Sequence, residues 1–333
     1  MSDQLDNPPP LCVDLDGTLI NTDLLIESLF AFLRQEPLGI IKIPFWFARG
    51  KAFLKEQLVQ RITIDVAALP YQQEFLDYLQ QQHAIGRKLI LVTASHRHFA
   101  DQIARHLEIF AAVFATEMGK NLSGKEKAKC LVELYGERGF DYAGNSRTDL
   151  AVWAHARRAI VVNPVFGLKK RVPIAEFFDD RGDTGKCYLQ LLHPLRWFNN
   201  LLVFIPLFIY QNYSDDALTQ AGWAFATFSI CGSSSYILSD LLNLSLDRRH
   251  SRSTYNLFST GRISIIHGAI LFSSLIVIGL LLAIFTLPLE YLALFTIYYF
   301  LSIIYHVMMH SYSVFVKTLL YMTRIVSGNT IGA

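Results

Sequence analysis

The sequence predicts two fold classes in succession: an open parallel α/β sheet, then an all-helical, multi-span membrane domain. Three observations predict them. Charged residues divide unevenly, with 47 in residues 1–196 and 11 in residues 197–333. Short apolar runs alternate with helical patterns through the first half, the mark of a parallel sheet with crossover helices. The second half carries long apolar runs, most of them near the roughly 20 residues needed to cross a bilayer.

Within the first half, residues 1–10 are polar and proline-rich and read as a frayed tail, with no signal peptide. Leu11–Val13 is a short apolar run ending in Asp14-Leu15-Asp16-Gly17-Thr18, which predicts a buried strand that stops at a glycine turn. A helical stretch follows to about residue 84 and includes the aromatic segment Leu38–Gly50, broken by Pro44. Its Phe45-Trp46-Phe47 centre suits either a lipid-facing surface or a packed core. Lys88–Thr93, Ala111–Thr116, Phe140–Ala143 and Ala159–Val162 are further strand candidates. The helices between them are expected at Phe99–Leu107, Gly124–Tyr135 and Ser146–Ala156. Residues 165–196, with Lys169-Lys170-Arg171 and a polar DDRGDTGK stretch, read as a linker.

Apolar runs then cover about 197–212, 217–239, 264–286, 289–309 and 313–333, giving about five spans. Arg196, the Arg248, Arg249, Arg252 and Arg262 cluster, and Lys317 all fall on one side. Positive charge marks the cytoplasmic face, so the expectation is a multi-pass protein of the inner or plasma membrane with its soluble domain in the cytoplasm. A net charge of +2 argues against a nucleic-acid partner. The four scattered cysteines form no CxxC pair and read as reduced thiols.

The chemistry concentrates at strand ends. Asp14 and Asp16 follow an apolar strand with one residue between them, and ligands of α/β sheets bind beyond the carboxyl ends of strands. One carboxylate can attack phosphorus, while the other, protonated, supplies a proton to the leaving oxygen and then activates water. Mg²⁺ offsets the repulsion between carboxylates and phosphate. Thr93 ends the second strand, where a hydroxyl can hold a phosphate oxygen. Lys125 and Lys127 open a helix, where an ammonium can neutralise phosphate. Asn145 and Asp149, in the Gly144–Asp149 turn, offer further oxygens.

In this order the elements resemble the haloacid dehalogenase superfamily of aspartyl-phosphate hydrolases over about residues 10–165. The resemblance implies a Rossmann-like parallel sheet and a helical cap at about 20–85, within a domain of residues 1–165. It implies Asp14 as nucleophile and metal ligand, and Asp16 as general acid/base with its carbonyl on Mg²⁺. It further implies Thr93 as the phosphate-binding hydroxyl and Asp149 as an acid supporting the metal. Lys127, with Leu131 four residues on, fits the family's helix better than Lys125. Asn145 stands where the family usually has Asp, so one charge on the metal is missing. The implied substrate is a phosphorylated small molecule.

In the second half, Asp240, Asn243 and Asp247 recur at i, i+3 and i+7, one face of a helix. Carboxylates at membrane depth point to function, and oxygen ligands there suit Mg²⁺ with a diphosphate. Ser239–Asp247 and the preceding His193–Phe208 resemble the UbiA family of intramembrane prenyltransferases, in an arrangement where a phosphatase-like domain precedes the membrane domain. After a linker at 166–195, residues 196–333 would be that domain. The resemblance implies Asp240, Asn243 and Asp247 as Mg²⁺–diphosphate ligands, with Arg196 and Asn200 beside them. The family's eight or nine spans imply that this one is incomplete. The implied activity is transfer of a prenyl group, or of phosphoribosyl to polyprenyl phosphate, with isoprenoid diphosphate, polyprenyl phosphate and membrane lipid as partners. The alternative is a membrane-tethered Mg²⁺-dependent phosphatase whose truncated transferase domain is non-catalytic.

Overall fold

A computed structural model of the chain describes residues 8–117, 122–165, 167–168, 173–180, 184–211, 213–249, 256–287, 292, 295–297 and 299–304. These divide into two compact units. Among the described residues, the first holds those up to Cys187 together with those within Asn243–His267, and the second those within Tyr188–Leu242 and from Gly268 to 304.

The first unit is built on six parallel strands: β1 Leu11–Val13, β2 Leu89–His96, β3 Ala112–Thr116, β4 Asp141–Gly144, β5 Ala159–Val162 and β6 Ile174–Phe178. Their order is β3-β2-β1-β4-β5-β6. β1 lies between β2 and β4, with Leu11 opposite Leu89 on one side and Asp141 on the other. Side chains alternate across a strand, and here the alternation makes the two faces of the core. Leu11, Val13, Leu89, Leu91, Ile160 and Val162 pack on one face with helices α1 (Leu24–Gln35), α4 (Gln73–Ala84) and α5 (Arg97–Leu107). Cys12, Ile90, Val92 and Val161 pack on the other with α6 (Lys125–Tyr135) and α7 (Leu150–Trp153).

Between β1 and β2 the chain is helical, as expected for a cap: α1, α2 (Lys42–Ala48), α3 (Lys51–Val59) and the crossover helix α4. Asp23 caps α1, its carboxylate accepting from the Ile26 N–H at 3.0 Å. The aromatic segment divides its roles, for Trp46 packs on Phe32 with ring centroids 5.2 Å apart while Phe45 and Phe47 are exposed. Residues 166–195 were expected to be a linker, yet they carry β6, paired with β5, and α8 (Thr184–Leu191). β6 is an edge strand with side chains half-buried at best, so its run lacks the continuous apolar character of the inner strands. The Lys169-Lys170-Arg171 run lies outside the described residues.

In the second unit a 3-10 segment, Pro194–Phe204, leads into α9 (Ile205–Ile209), followed by the 28-residue α10 (Asp215–Leu242). Trp197 Nε1 donates to Ser233 Oγ at 2.9 Å and Asn200 Nδ2 to Ser229 Oγ at 3.1 Å. The small α10 residues therefore accept the neighbouring segment closely. Phe295 and Tyr299 pack with Cys231 of α10 and with Ala283.

Helix α11 (Leu244–Arg249) belongs to the first unit, and α12 covers Ile265–Thr286. Among the described residues, α12 is the one helix long and apolar enough to cross a membrane, and Gly185–Leu191 with Pro194–Ile209, bent by 41°, is a second candidate only if the pair counts as one span. The expected span at 313–333 and most of that at 289–309 lie outside the described residues. None of the four cysteines is in a disulfide.

Candidate active site

The order of the sheet places the carboxyl ends of β1, β2 and β4 side by side, where ligands of parallel sheets bind. Asp14 follows β1 directly, and its N–H donates to the Ala143 carbonyl of β4 at 3.0 Å. The chain then turns at Gly17, whose φ is +72°. A Cβ there would lie 2.1 Å from Asn145 Nδ2, so only glycine supplies both the left-handed conformation and the close approach to the β4 loop.

Two hydrogen-bonded chains start from the two aspartates. In the first, Lys127 Nζ donates to Asp14 Oδ1 at 2.8 Å and to Tyr142 Oη at 2.9 Å. Tyr142 in turn donates to Asp149 Oδ1 at 2.8 Å. In the second, Asp16 Oδ2 accepts from Ser95 Oγ, and the Ser95 N–H donates to Thr93 Oγ1 at 2.9 Å. Asp16 Oδ1 accepts the Leu24 N–H of α1 at 2.9 Å. Of the two candidate lysines, Lys127 is buried in this network and Lys125 is exposed.

Burial dominates the electrostatics. It pushes the Asp14 carboxyl up to about 6, with Lys127 opposing the shift. Burial, and after it the Asp23 charge, pushes Asp16 up to about 7, while the Ser95 hydrogen bond opposes. For Lys127 burial disfavours the ammonium, but Asp14 and Asp149 outweigh it and hold its pKa above the ordinary value. Tyr142, raised well above the usual phenol range by burial, stays a neutral donor.

Asp149 was expected beside the metal, but both its oxygens accept from the protein. Oδ1 takes Tyr142, while Oδ2 takes the Asn145 and Ser146 N–H groups at 3.2 and 2.9 Å and Ser146 Oγ at 2.7 Å. It organises the β4 loop and closes a capping box with Ser146. Among the described residues, no three His, Cys, Asp or Glu side chains gather to hold a metal ion. The side chains that could hold one are Asp14 and the amide of Asn145 beside Gly17. One carboxylate, one amide and backbone carbonyls fit Mg²⁺, which usually takes one or two carboxylates and completes its shell with water and substrate phosphate.

The other acidic set is divided. Asp240 belongs to the helical unit, where its Oδ2 lies 3.2 Å from His193 Nε2. Asn243 falls at the break between α10 and α11, so the single helical face expected for the three residues is interrupted. Asp247 lies in the first unit, its Oδ2 accepting from Asn256 Nδ2 at 2.7 Å. Arg196 stacks on Tyr236 with 4.2 Å between guanidinium carbon and ring centroid.

Three site residues escaped the sequence reading. Ser95 lies two positions beyond Thr93, the period that returns a strand to the same face, and that spacing was the available signal. Tyr142 and Lys55 carried none. Lys55, on α3, is buried and donates to the Ala94 carbonyl. With Leu24, Ser28, Leu58, Ser95 and Phe99 it lines a small open depression.

Residues 11–153 match the haloacid dehalogenase-like hydrolase family. An uncharacterised protein of Sinorhizobium fredii, y4nM, is 35% identical over 274 residues, covering 80% of this chain and 52% of that protein. The nodulation protein NoeC of Azorhizobium caulinodans is 32% identical over 157 residues, covering 43% of this chain and 47% of that protein. The chain thus spans about half the length of the curated relatives it matches. Among solved structures, a HAD family hydrolase from Salmonella enterica serovar Typhi is 16% identical, covers 51% of this chain and 69% of that one, and has a TM-score of 0.37. Sheet, site and family match agree on the N-terminal part of the chain: residues 11–153 are a haloacid dehalogenase-like hydrolase domain.

Proposed function

We propose that this protein is a Mg²⁺-dependent phosphatase of a small phosphomonoester, tethered to a membrane through its helical region. The observation that carries the reading is the placement of Asp14: it follows β1 directly, and its Oδ1 is held by the buried Lys127 at 2.8 Å. A carboxylate so placed at the end of β1 is oriented for attack on phosphorus.

Asp14 Oδ2 bonds to phosphorus as the bond to the leaving oxygen breaks, and that oxygen takes the proton held by Asp16. Water then attacks the phosphorus of the acyl phosphate, its proton passes to Asp16, and phosphate leaves with Asp14 restored. A carboxyl titrating near 7 can hold and return a proton at neutral pH. Thr93 and Lys127 hold phosphate oxygens. Mg²⁺, held by Asp14, Asn145 and the Asp16 carbonyl, would offset the charge of the phosphate.

The test is phosphate release from a panel of small phosphomonoesters by the full chain in detergent with Mg²⁺. Asp14→Asn should lower the rate by about a thousandfold or more; a variant that keeps a tenth of the parent rate overturns the reading. The tether rests on α12, with a mean hydropathy of 2.7. It predicts that alkaline washing leaves the chain in the membrane fraction. Prenyl or phosphoribosyl transfer stands behind this reading, because its support lies in sequence patterns alone, at 193–208 and 239–247.

A further inference from the structure

The segment between α10 and α12 is built into the hydrolase. Arg248 of α11 meets Glu27 of α1, 221 positions away, with both arms of its guanidinium: Nη1 to Oε1, and Nη2 to Oε2 at 3.2 Å. Each side chain is only 5% exposed. Arg248 Nε donates to the Ser259 carbonyl at 3.1 Å. Asn256 stitches the same segment, accepting from the Phe258 and Ser259 N–H groups and donating to Asp247. Gly261 has φ +73°, and a Cβ there would lie 2.4 Å from the Cβ of Asn21. The segment therefore touches the loop after the DxDGT motif at a second, independent place.

From Glu27 the bonds run straight to the site. Its Oε2 accepts from Thr22 Oγ1 at 2.9 Å, and the Thr22 carbonyl accepts the Gly17 N–H at 3.1 Å. The first turn of the same helix supplies the Leu24 N–H that holds Asp16 Oδ1 at 2.9 Å. Thr93 and Lys127 sit on β2 and α6 and take no part in this lacing. A buried ion pair adds little net stability but becomes costly when one partner is removed. It therefore acts as a constraint on the geometry of what it joins.

We propose that Arg248 is a positioning residue for Asp16: its two-armed pair with Glu27 holds the first turn of α1 and the 16–24 loop in the geometry that aims the Asp16 carboxyl at the leaving oxygen. The proposal rests on the phosphatase reading for its kinetic consequence, but not for its structural one. An activated ester needs little proton from Asp16, whereas an alkyl phosphate needs a full one. In the full chain in detergent, Arg248→Ala should lower kcat for an alkyl phosphate by about 10- to 100-fold, and for dinitrophenyl phosphate by less than about threefold, with KM little changed. Asp16→Asn should show the same split, and the double variant no further split. Arg248→Lys, which keeps the charge on Glu27 but not the second arm, should restore only part of the alkyl-phosphate rate while keeping the chain folded. Equal losses on the two esters overturn the proposal, because a merely structural role scales both alike. Hydrogen exchange separates the two ideas. Arg248→Ala should speed exchange over 17–27 and leave 88–96 unchanged. Unchanged exchange over 17–27 overturns the positioning role even if the parent releases phosphate. Faster exchange there in a chain that releases none leaves the lacing intact and removes the phosphatase reading.

Discussion

Lys127 Nζ lies 2.8 Å from Asp14 Oδ1 and 3.9 Å from Asp149 Oδ1, both lysine and partners being buried. One ammonium thus serves two carboxylates that would otherwise face each other uncompensated, and Tyr142 completes the set by bonding to Lys127 and Asp149. The site is assembled around this cation before any ligand arrives.

Removing the cation should therefore cost stability in a pH-dependent way. Lys127→Met leaves Asp14 and Asp149 buried without it, at a cost of about 3–5 kcal/mol near neutral pH. Its loss raises the Asp14 pKa further above the unfolded value, so the variant should recover stability as the pH falls and Asp14 protonates. Thermal denaturation at pH 5 and pH 8 measures this; an equal deficit at both would count against the pairing.

Asp16 makes a second pH prediction. Its folded carboxyl titrates near 7, well above an unfolded aspartate, with burial as the main cause. Between about pH 4 and 7 the folded state thus holds a proton that the unfolded chain has released, and stability falls as pH rises. Asp16→Asn removes this contribution and should gain on the parent between pH 5 and pH 8, by about 1–2 kcal/mol given the partial exposure of the side chain. Denaturant melts in EDTA test the sign.

Asn145→Asp should strengthen metal binding. The amide next to Gly17 becomes a second carboxylate beside Asp14, and Mg²⁺ affinity rises with ligand charge. The Mg²⁺ concentration for half-maximal phosphate release should fall by about tenfold. No change in the Mg²⁺ titration would show that position 145 does not face the metal.

Gly17→Ala should be severe for its size. The left-handed conformation costs a residue with a Cβ about 1–2 kcal/mol, and the new methyl would meet the Asn145 amide. The expected result is a lowered Tm together with a lost rate; pairing it with Asn145→Gly should recover part of the Tm by opening the space but not the rate, since it removes a metal ligand.

Much of the hydrolase was legible because its signals are local. The inner strands are continuous apolar runs, and β5 occupies the residues its pattern marks out, Ala159–Val162. The DxDGT motif, Thr93, Lys127 and the Asn145–Asp149 turn each follow a strand or open a helix, so sequence order places them at one sheet edge. β6 was not legible, because an edge strand with one wet side has a weak pattern set in a polar stretch. Ser95 and Tyr142 were not singled out, since each matters through a partner far along the chain. The reading of 240, 243 and 247 as one face assumed an unbroken helix, and the break at Asn243 removes that premise.

The sequence alone determined the class of the sheet, the pair of aspartates at its edge and the contrast between a charged half and an apolar half. These follow from residue type and period, which act over a few neighbours. The tertiary structure decided which lysine reaches Asp14, that Asp149 binds its own loop, and that Arg248 reaches across 221 positions to Glu27. Hydrogen bonds and ion pairs act over about 3 Å whatever the separation along the chain, so only the folded path of the backbone selects among the partners that composition allows.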